Sequence, residues 1–283
     1  MGSIFSFQSK PFSPKVILIT GASAGIGKDT ALALIRRGHT VYGAARRVDR
    51  MQDLVEAGGE AISMDITKED QIVAAVEKIL KEQGRIDVLI NNAGFSIDGP
   101  AEEVSVADGR KQFDVNFFGL VRLAQEILPH MRAAGKGTII NVTMGGYVFF
   151  PFLSWYVASK HALEGWSDCL RVETHPFGIK VALIQPGAIL TEFADVGMKN
   201  ITTASTSAYK PYHDSFNVFF KDGGRKVASP PSVVSNTIIK ATESANPKRR
   251  YVVGFTARPM LFLRNWLGDA AFDRFMLKQT GGG

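Results

Sequence analysis

A tyrosine and a lysine four residues apart, Tyr156 and Lys160, could together move a proton. They lie in residues 154–174, which are predicted to form a helix, so the phenol and the ammonium group share one face, one turn apart. A free phenol has a pKa of about 10 and exchanges protons poorly at neutral pH. Because a fixed cation stabilises the phenolate, the pair predicts a pKa lowered toward about 7 and proton exchange with a carbonyl oxygen or an alcohol. Alone it is a weak signal, since most such pairs lie on exposed helix faces.

A glycine-rich turn at residues 20–27 (TGASAGIG) joins an apolar run at 15–20 to a predicted helix at 26–37. Its glycines let the backbone turn tightly and approach a ligand without clashes from Cβ atoms. The start of the helix offers free N–H groups and a positive dipole end to a phosphate. At the first strand–helix junction this is typical of a dinucleotide pyrophosphate site, although such turns also serve as plain connections.

Two arginines, Arg46 and Arg47, follow the predicted second strand at 40–44, where a dinucleotide site reads the adenosine ribose. An acid at this place would accept a hydrogen bond from a 2′-hydroxyl, whereas guanidinium groups suit a 2′-phosphate. The pair favours NADP(H) over NAD(H). Two solvated arginines at a helix start would give the same pattern, and Asp49 nearby is interpreted as a helix cap.

Alternating strand and helix patterns must position these residues. Strands are predicted at residues 15–20, 40–44, 61–64, 87–91, 138–142, 180–185 and 250–254. Helices are predicted at residues 26–37, 68–83, 102–134, 154–174 and 231–244, with a further helical segment at the C-terminus. This alternation predicts one doubly wound, Rossmann-type α/β domain over residues 1–283, with a seven-stranded, mainly parallel sheet and helices on both faces. Residues 1–14 would be an N-terminal extension and 256–283 a helical tail.

The composition excludes several classes of protein. With 45% hydrophobic residues, 33 Lys+Arg and 27 Asp+Glu, the chain is too apolar and too evenly charged to be disordered. No stretch is long and apolar enough to span a membrane. The lone Cys169 excludes an internal disulfide, favours a reducing, cytoplasmic location, and is predicted to be a core residue. The five histidines lack the spacing of metal ligands, so no metal is expected.

Most of the net charge of +6 falls in the last segment, from Asn246 onward, which holds seven Lys/Arg against two Asp. We interpret this segment as a capping helix with solvated charges. The alternative is a surface that touches a membrane or closes over an apolar substrate. Nucleic-acid binding is not expected, because the basic residues form no stripe with base-reading groups.

Four motifs occur in one order: the glycine turn, NNAG at 91–94, the Tyr156/Lys160 pair, and Pro186-Gly187 after the sixth strand. Over roughly residues 15–255 the chain resembles the short-chain dehydrogenase/reductase family. The resemblance is to members that act on ketones, steroids, retinoids or similar secondary alcohols. It implies that Tyr156 is the catalytic acid/base and that Lys160 lowers its pKa and holds the nicotinamide ribose. It also implies that Asn116 holds a water in a proton relay with the lysine.

The fourth catalytic position departs from the family pattern. The family usually has a serine thirteen residues before the tyrosine, and Thr143 occupies that place here. Counting forward from Asn141 would instead give Met144, which cannot donate a hydrogen bond. A threonine hydroxyl can donate to a substrate carbonyl, although its methyl group narrows the site. We favour Thr143.

The resemblance also implies the cofactor contacts. These are Gly21, Ser23, Gly25, Ile26 and Gly27 at the pyrophosphate, Asp65 and Ile66 at the adenine, Asn92, Ala93 and Gly94 at the adenine ribose, and Pro186, Gly187 and Thr191 at the nicotinamide carboxamide. Asp65 also fits a helix cap. Tyr156 and Lys160 complete the set.

Aromatic residues surround the predicted site and suggest the substrate. They are Phe95, Tyr147, Phe149, Phe150, Phe152 and Trp155, followed in the family's lid region at 192–229 by Phe193, Tyr209, Tyr212, Phe216, Phe219 and Phe220. Half of them could belong to the core. The excess still favours a bulky, mostly apolar ketone or alcohol over a sugar or a small acid.

The resulting prediction is an NADP(H)-dependent oxidoreductase that moves hydride between nicotinamide and this substrate. The resemblance further suggests a homodimer or homotetramer built on the helices at 102–134 and 154–174. One alternative is an epimerase or dehydratase on the same fold. Another is an NADPH-binding protein, slow or without turnover, for which membrane contact is conceivable.

Overall fold

A seven-stranded parallel sheet forms the centre of the protein, of which the computed structural model describes residues 13–144, 148–193, 206–219 and 224–281. The strands are β1 (Val16–Thr20), β2 (Thr40–Ala45), β3 (Glu60–Ser63), β4 (Val88–Asn91), β5 (Gly137–Val142), β6 (Ile179–Pro186) and β7 (Arg250–Val253). Their order is β3-β2-β1-β4-β5-β6-β7, and every neighbouring pair is parallel. This confirms the predicted doubly wound fold and places the reversal of strand order between β1 and β4.

Ten helices are described along the chain. They are α1 (Gly25–Arg36), α2 (Gln52–Glu56), α3 (Glu69–Gln83), α4 (Val106–Phe113), α5 (Gly119–Ala133), α6 (Ser154–Glu173), α7 (Lys210–Val218), α8 (Gly224–Val227), α9 (Pro231–Glu243) and α10 (Ala257–Gln279). The predicted helix at 102–134 begins later than expected and contains a π-helical turn, Asp114–Phe118, between α4 and α5. Helix α2, which is only five residues long, was not predicted.

Alternate residues of each buried strand face opposite layers of helices. In β1, Leu18 packs with α3, α5 and α6, whereas Ile17 and Ile19 pack with α1, α2 and α9. All three side chains are fully buried. Burying each such side chain contributes about 1.5–3 kcal/mol, so the two-sided core fixes the sheet on which the strand ends are displayed.

The C-terminal helix α10 breaks at Gly268, whose φ of 74° and ψ of 179° are not helical. Its second half packs Phe272 and Met276 against Val148 and the ring of Phe149, with ring centroids of Phe149 and Phe272 4.9 Å apart. The tail therefore covers the segment before α6, as the capping interpretation expected. Among the helices of the described ranges, none has the length and apolar character needed to cross a membrane.

One expectation about the core is wrong. Cys169 is exposed, because α6 turns Leu163, Ser167 and Leu170 inward and leaves Cys169 on the opposite side. Parts of other predictions lie outside the described residues. These parts are the N-terminal extension up to residue 12, Tyr147, Phe220, and positions 194–205 and 220–223 of the lid region.

Candidate active site

The carboxyl ends of β1 and β4 are joined by one hydroxyl group. Thr20 Oγ1 accepts hydrogen bonds from the backbone N–H groups of Asn92 and Ala93, both at 3.0 Å. The Asn92 side chain donates in turn to Thr20 O at 3.0 Å. These bonds bring the NNAG segment against the glycine turn.

The glycine positions of the turn leave little or no space for a Cβ atom. Gly21 and Gly25 have φ of 70° and 56°, a backbone conformation that favours glycine. A Cβ at Gly27 would lie 2.3 Å from Gly21 O and 2.5 Å from Asn92 Nδ2. Thr191 is also brought here, because a Cβ at Gly25 would lie 3.3 Å from its side chain. Together with the start of α1, this bare backbone fits a pyrophosphate.

The adenosine side carries the two predicted arginines, both exposed. Arg47 reaches back to Ser23, with its NH2 group 3.4 Å from Ser23 Oγ. Arg46 lies near Asp65: burial would raise the pKa of Asp65, but hydrogen bonds from Thr67 and the charge of Arg46 lower it overall. Two exposed guanidinium groups therefore lie together at the end of β2.

Asp65 and Ile66 are held by the turn that leads into α3. Asp65 Oδ1 accepts from Thr67 N at 3.0 Å and from Thr67 Oγ1 at 2.8 Å, which closes a turn before the helix. Asp65 does not cap α3, because the N-cap position is Lys68 and no side chain caps this helix. Ile66 is buried, and its carbonyl oxygen would be 2.3 Å from a Cβ at Gly119. Both residues lie beside the β2 end, on the adenine side.

Two chain segments approach each other closely after β6, where the family resemblance places the nicotinamide. Gly187, which follows β6, donates its N–H to Val253 O at 2.9 Å. A Cβ at Gly187 would lie 2.4 Å from Thr256 Oγ1, the same hydroxyl that accepts from Ala188 N at 2.8 Å. The glycine at the end of Pro186-Gly187 is therefore required by packing at the start of α10.

Asn116, Lys160 and Gly94 meet at the end of β4. A Cβ at Gly94 would be 3.2 Å from Asn116 Oδ1 and 3.3 Å from Lys160 Nζ. Asn116 sits in the π-helical turn and pairs with the backbone of Phe95, accepting from its N–H at 3.0 Å and donating to its carbonyl at 2.9 Å. Lys160 donates to Val142 O at 3.0 Å. Such π-turns often mark functional sites, and this one holds the Asn116 amide on the backbone of Phe95, next to the Gly94 position that Lys160 also approaches.

Tyr156 lies one turn before Lys160, with the Lys160 Nζ 5.9 Å from the centre of its ring. Among the described residues, none forms a hydrogen bond with the Tyr156 hydroxyl, so it remains available to a substrate. Burial raises the pKa of Tyr156, and the charge of Asp98 raises it further. Burial lowers the pKa of Lys160 to about 8. In the protein chain alone the expected lowering of the tyrosine pKa is thus absent.

The hydroxyl of Thr143 is turned away from Tyr156. Thr143 Oγ1 lies 2.8 Å from Glu164 Oε1, to which it donates, and Gln185 Nε2 donates to the same carboxylate at 2.8 and 3.0 Å. All three residues are buried. Met144, the alternative at this position, is buried as well. In this arrangement the Thr143 oxygen can accept a hydrogen bond from the site but does not donate one to it.

Aromatic side chains lie beside Tyr156 and along the segment that leads into α6. The ring of Phe193 lies 5.3 Å from that of Tyr156. Phe152 packs against His213 and Phe216 of α7, at 4.9 and 5.6 Å. Helix α7 is anchored to the loop after β4, because the Tyr209 hydroxyl is 2.7 Å from Glu102 Oε2.

Trp155 does not belong to this wall. Its ring lies against α4, where a Cβ at Gly109 would be 2.4 Å away and the ring of Phe113 is 6.2 Å away, edge to face.

Asp98 and Glu164 are site residues that the sequence analysis missed. Asp98 is buried beside the tyrosine, and its only signal was an acid within an otherwise apolar or small stretch, FSIDGP, after NNAG. Glu164 lies two turns beyond Tyr156, on the inward side of α6. Among the described residues, no group of three or more His, Cys, Asp or Glu could hold a metal ion.

Comparison with protein families finds a match over residues 15–200 to the model described as short chain dehydrogenase. The 3-ketodihydrosphingosine reductase of Bacteroides thetaiotaomicron is 40% identical over 261 residues, which are 90% of this chain and 94% of that protein. The NADPH-dependent 1-acyldihydroxyacetone phosphate reductase of Schizosaccharomyces pombe is 38% identical over 70% of this chain and 69% of its own.

Solved structures agree with this match. A short-chain dehydrogenase from Streptomyces avermitilis superposes with a TM-score of 0.78 at 33% identity, covering 95% of this chain and 96% of its own. A serine dehydrogenase in complex with NADP+ gives 0.73 at 29% identity over 83% of this chain and 92% of its own. A 3-ketoacyl-(acyl-carrier-protein) reductase from Brucella melitensis in complex with NADH gives 0.70 at 25% identity over 83% and 94%. Both cofactors thus occur among similar structures.

Proposed function

This chain belongs to the short-chain dehydrogenase/reductase family of oxidoreductases, and from that premise we propose that it reduces bulky, mostly apolar ketones with NADPH. Tyr156 is the catalytic acid, and the reverse reaction oxidises the corresponding secondary alcohol. The observation that carries the proposal is the meeting of Asn116, Lys160 and Gly94 at the strand ends, one helical turn from a phenol whose ring packs near that of Phe193.

The raised pKa of Tyr156 suits the reductive direction. A phenol that stays protonated at neutral pH can donate its proton to the carbonyl oxygen. When bound, NADPH supplies the hydride for the carbonyl carbon and becomes NADP+, so the ketone gains one hydride and one proton. Lys160, held by Val142 O, stabilises the phenolate that remains, and Asn116 orders the backbone that positions this lysine.

Three features support the substrate and the cofactor assignments. The walls near Tyr156 are aromatic, with Phe193, Phe152 and Phe216 in contact distance of one another or of the phenol. A relative that is 40% identical is named as a 3-ketodihydrosphingosine reductase. Arg46 and Arg47, at the end of β2, offer two positive charges for the 2′-phosphate of NADPH.

The decisive experiment is NADPH oxidation with a panel of long-chain, steroid, retinoid and aryl ketones, run beside Tyr156→Phe. We expect Tyr156→Phe to bind NADPH as the wild type does and to lose most of its turnover, because no other described side chain is placed to donate the proton. Tyr251→Phe, on β7 away from the cleft, is the control and should keep full turnover. Unchanged turnover in Tyr156→Phe would remove this residue from the mechanism.

A second candidate function is an NADPH-binding protein with slow turnover. It is favoured by one observation, the donation of the Thr143 hydroxyl to Glu164 rather than to the cleft. Tight NADPH binding without consumption of NADPH by any ketone of the panel would support this candidate. An epimerase or dehydratase would also leave NADPH unconsumed but would convert its substrate.

We also propose that the protein is a homodimer or homotetramer that associates through the faces of α5 and α6. These faces leave apolar side chains at the surface, with Phe118 57% exposed just before α5 and Val172 65% exposed on α6.

A further inference from the structure

The first half of α10 holds large apolar side chains at the protein surface. Phe262 is 58% exposed, Trp266 is 77% exposed and Leu267 is 57% exposed. The rings of Phe262 and Trp266, one helical turn apart, are stacked, with their centroids 6.1 Å apart and an angle of 22° between their planes. Single exposed apolar side chains are ordinary, whereas neighbouring ones mark sites of interaction. We call these three residues the α10 patch.

Core packing does not account for the α10 patch. On the inner side of the same half of the helix, Met260 and Leu263 pack against the cluster around Phe272, and beyond Gly268 the second half adds Met276. The capping role of the C-terminal segment therefore uses only the inner side of α10. A helix that is apolar on more than one side is normally buried on each of them, but here the outer side faces solvent.

Three cationic side chains border the α10 patch. Lys240 of α9, Lys248 before β7 and Arg258 of α10 line the same groove as Phe262 and Trp266. All three cations are exposed, and in the ranges that the structure describes none of them forms an ion pair with an acid. Their charge therefore faces the solvent beside the aromatic rings, where it complements an anionic partner.

We propose that the α10 patch and these three cations dock the protein on the surface of an anionic phospholipid bilayer. The first half of α10 lies in the interface, with the apolar side chains at the level of the upper acyl chains and the cations against the headgroup phosphates. The indole ring of Trp266 suits this depth, because it combines an apolar body with a polar N–H group. The inference does not depend on the ketone reduction proposed above.

Two other occupants fit this surface less well. In a symmetric contact with a second copy, the three cations would meet their own counterparts, and like charges repel. Asp269, the nearest acid along α10, is already paired with Arg264 and so does not offset them. A small soluble anion would bind the cations in the groove but leave Leu267, outside the groove, in water. A bilayer covers both the charges and the apolar side chains.

Vesicle binding by the wild-type chain tests the proposal directly. The protein should sediment with vesicles of phosphatidylcholine that contain about 30% phosphatidylglycerol, and it should bind vesicles of phosphatidylcholine alone at least about tenfold more weakly. Raising NaCl from about 0.1 M to about 0.5 M should weaken binding at least about fivefold, because salt screens the attraction. No binding to the anionic vesicles, or equal binding to both kinds, would overturn the inference.

Tryptophan fluorescence reports which side chain enters the lipid. The chain has three tryptophans, of which Trp155 and Trp166 are partly buried and Trp266 is exposed. Binding to the anionic vesicles should shift the emission to shorter wavelengths, and bromine-labelled acyl chains should quench it. Trp266→Phe keeps an apolar ring, so it should bind within about threefold of the wild type but lose the shift and the quenching. A shift of equal size in Trp266→Phe would reject the inference.

A pair of double variants tests the apolar contribution. Phe262→Ala with Trp266→Ala should weaken binding to the anionic vesicles at least about tenfold, because two apolar side chains no longer enter the lipid. Phe177→Ala with Val55→Ala removes apolar side chains that are 43% and 45% exposed elsewhere, and it should bind as the wild type does. Equal binding by the two double variants would contradict the assignment of the α10 patch.

The cationic contribution has its own matched control. The three cations of the groove are replaced together, as Lys240→Gln, Lys248→Gln and Arg258→Gln. We expect binding to the anionic vesicles to fall about 100-fold, at about fivefold for each cation. The control neutralises three exposed cations elsewhere, as Lys81→Gln, Arg110→Gln and Lys136→Gln. A loss of the same size in the control would show an effect of net charge alone and reject the proposed surface.

Two further outcomes would assign this surface to another occupant and overturn the inference. Light scattering without vesicles should give the same molar mass for the wild type and for Phe262→Ala with Trp266→Ala. A lower mass in the variant would make the α10 patch an interface between copies of this chain. Glycerophosphoglycerol, the headgroup without acyl chains, should not displace the protein from the vesicles. Complete displacement would show that the groove binds a soluble anion and not a bilayer.

Discussion

Lys160 is buried, and burial disfavours its positive charge. The side chain is 4% exposed, and burial lowers its pKa to about 8, while a hydrogen bond to Val142 O keeps the ammonium group in place. A lysine selected for stability would lie at the surface, as Lys136 does. Keeping this cation next to the phenol of Tyr156 therefore lowers the stability of the folded protein.

Replacing this lysine should make the protein more stable and inactive. The unfolded chain has a lysine pKa of about 10.5, above the folded value, so it binds more protons between about pH 8 and 10.5. The penalty is therefore complete below about pH 8 and is relieved as the pH rises through this window. We expect Lys160→Met to raise the free energy of unfolding by about 1–3 kcal/mol at pH 7, and by less than half as much near pH 10.

Urea unfolding without cofactor at the two pH values measures this effect. Lys136→Met, at an exposed position, is the matched control and should show little change at either pH. A Lys160→Met protein that is less stable than the wild type at pH 7 would contradict the prediction.

Arg46 and Arg47 should decide between the two nicotinamide cofactors. Both lie at the end of β2, and a guanidinium group pairs with a phosphate through two hydrogen bonds. We expect Arg46→Ala with Arg47→Ala to weaken NADPH binding by about 10- to 100-fold and NADH binding by less than about threefold. Arg36→Ala, exposed at the end of α1, should change neither affinity when binding is followed by NAD(P)H fluorescence. Equal losses for the two cofactors would show that the arginines do not read the 2′-phosphate.

At the level of elements, one carboxylate ties α6 to three strand ends. Glu164 accepts from Thr143 after β5 and from Gln185 in β6, and its Oε2 lies 3.8 Å from Arg250 Nε in β7. This junction fixes where α6 sits on the sheet, and with it the positions of Tyr156 and Lys160, which we propose to be catalytic and which lie on the same helix. Glu164 therefore positions the helix that carries the site and does not itself contact a substrate.

Removing the Glu164 carboxylate should destabilise the protein more than removing an exposed acid does. Glu164→Ala leaves the buried donors of Thr143 and Gln185 without their acceptor, so we expect a loss of about 2–4 kcal/mol in the free energy of unfolding. Glu164→Gln, which keeps one acceptor oxygen, should lose less. Glu173→Ala, exposed at the end of the same helix, is the control. If urea unfolding showed no greater loss in the free energy of unfolding for Glu164→Ala than for Glu173→Ala, the junction would not stabilise the fold.

The elements also show where sequence patterns stop being informative. The strands and the glycine turn were predictable because buried strands are continuous apolar runs and because tight backbone approach requires glycine. The exposure of Cys169 was not predicted, since burial on α6 depends on which side of the helix meets the sheet. The hydroxyl direction of Thr143 depends on Glu164, which lies 21 residues away along the chain and is adjacent only in the fold. Asp98 was missed for the same reason, because the tyrosine whose pKa it raises lies on α6, 58 residues away along the chain.

On the scale of the whole molecule, the cluster of positive side chains lies away from the proposed active site. A groove of about 570 Å³ between α9, β7 and the first half of α10 has four cationic side chains in its lining, those of Lys240, Lys248, Arg250 and Arg258. The cleft beside Tyr156 instead holds Asp98 and aromatic rings. The positive excess of the C-terminal segment is therefore not located at the catalytic cleft, and it gives no reason to expect an anionic substrate there.

The proposed oligomer can be tested through the exposed apolar side chains of the helical face opposite α1 and α9. Val172 is 65% exposed on α6, and a buried charge at an interface without a partner is strongly unfavourable. We expect Val172→Glu to shift the molar mass measured by light scattering from that of a dimer or tetramer to a smaller assembly. Val55→Glu makes the same change at a 45% exposed position on α2, in the other helical layer, and should leave the mass unchanged. A wild-type protein that runs as a monomer would reject the assembly, and equal effects of both variants would place the interface elsewhere.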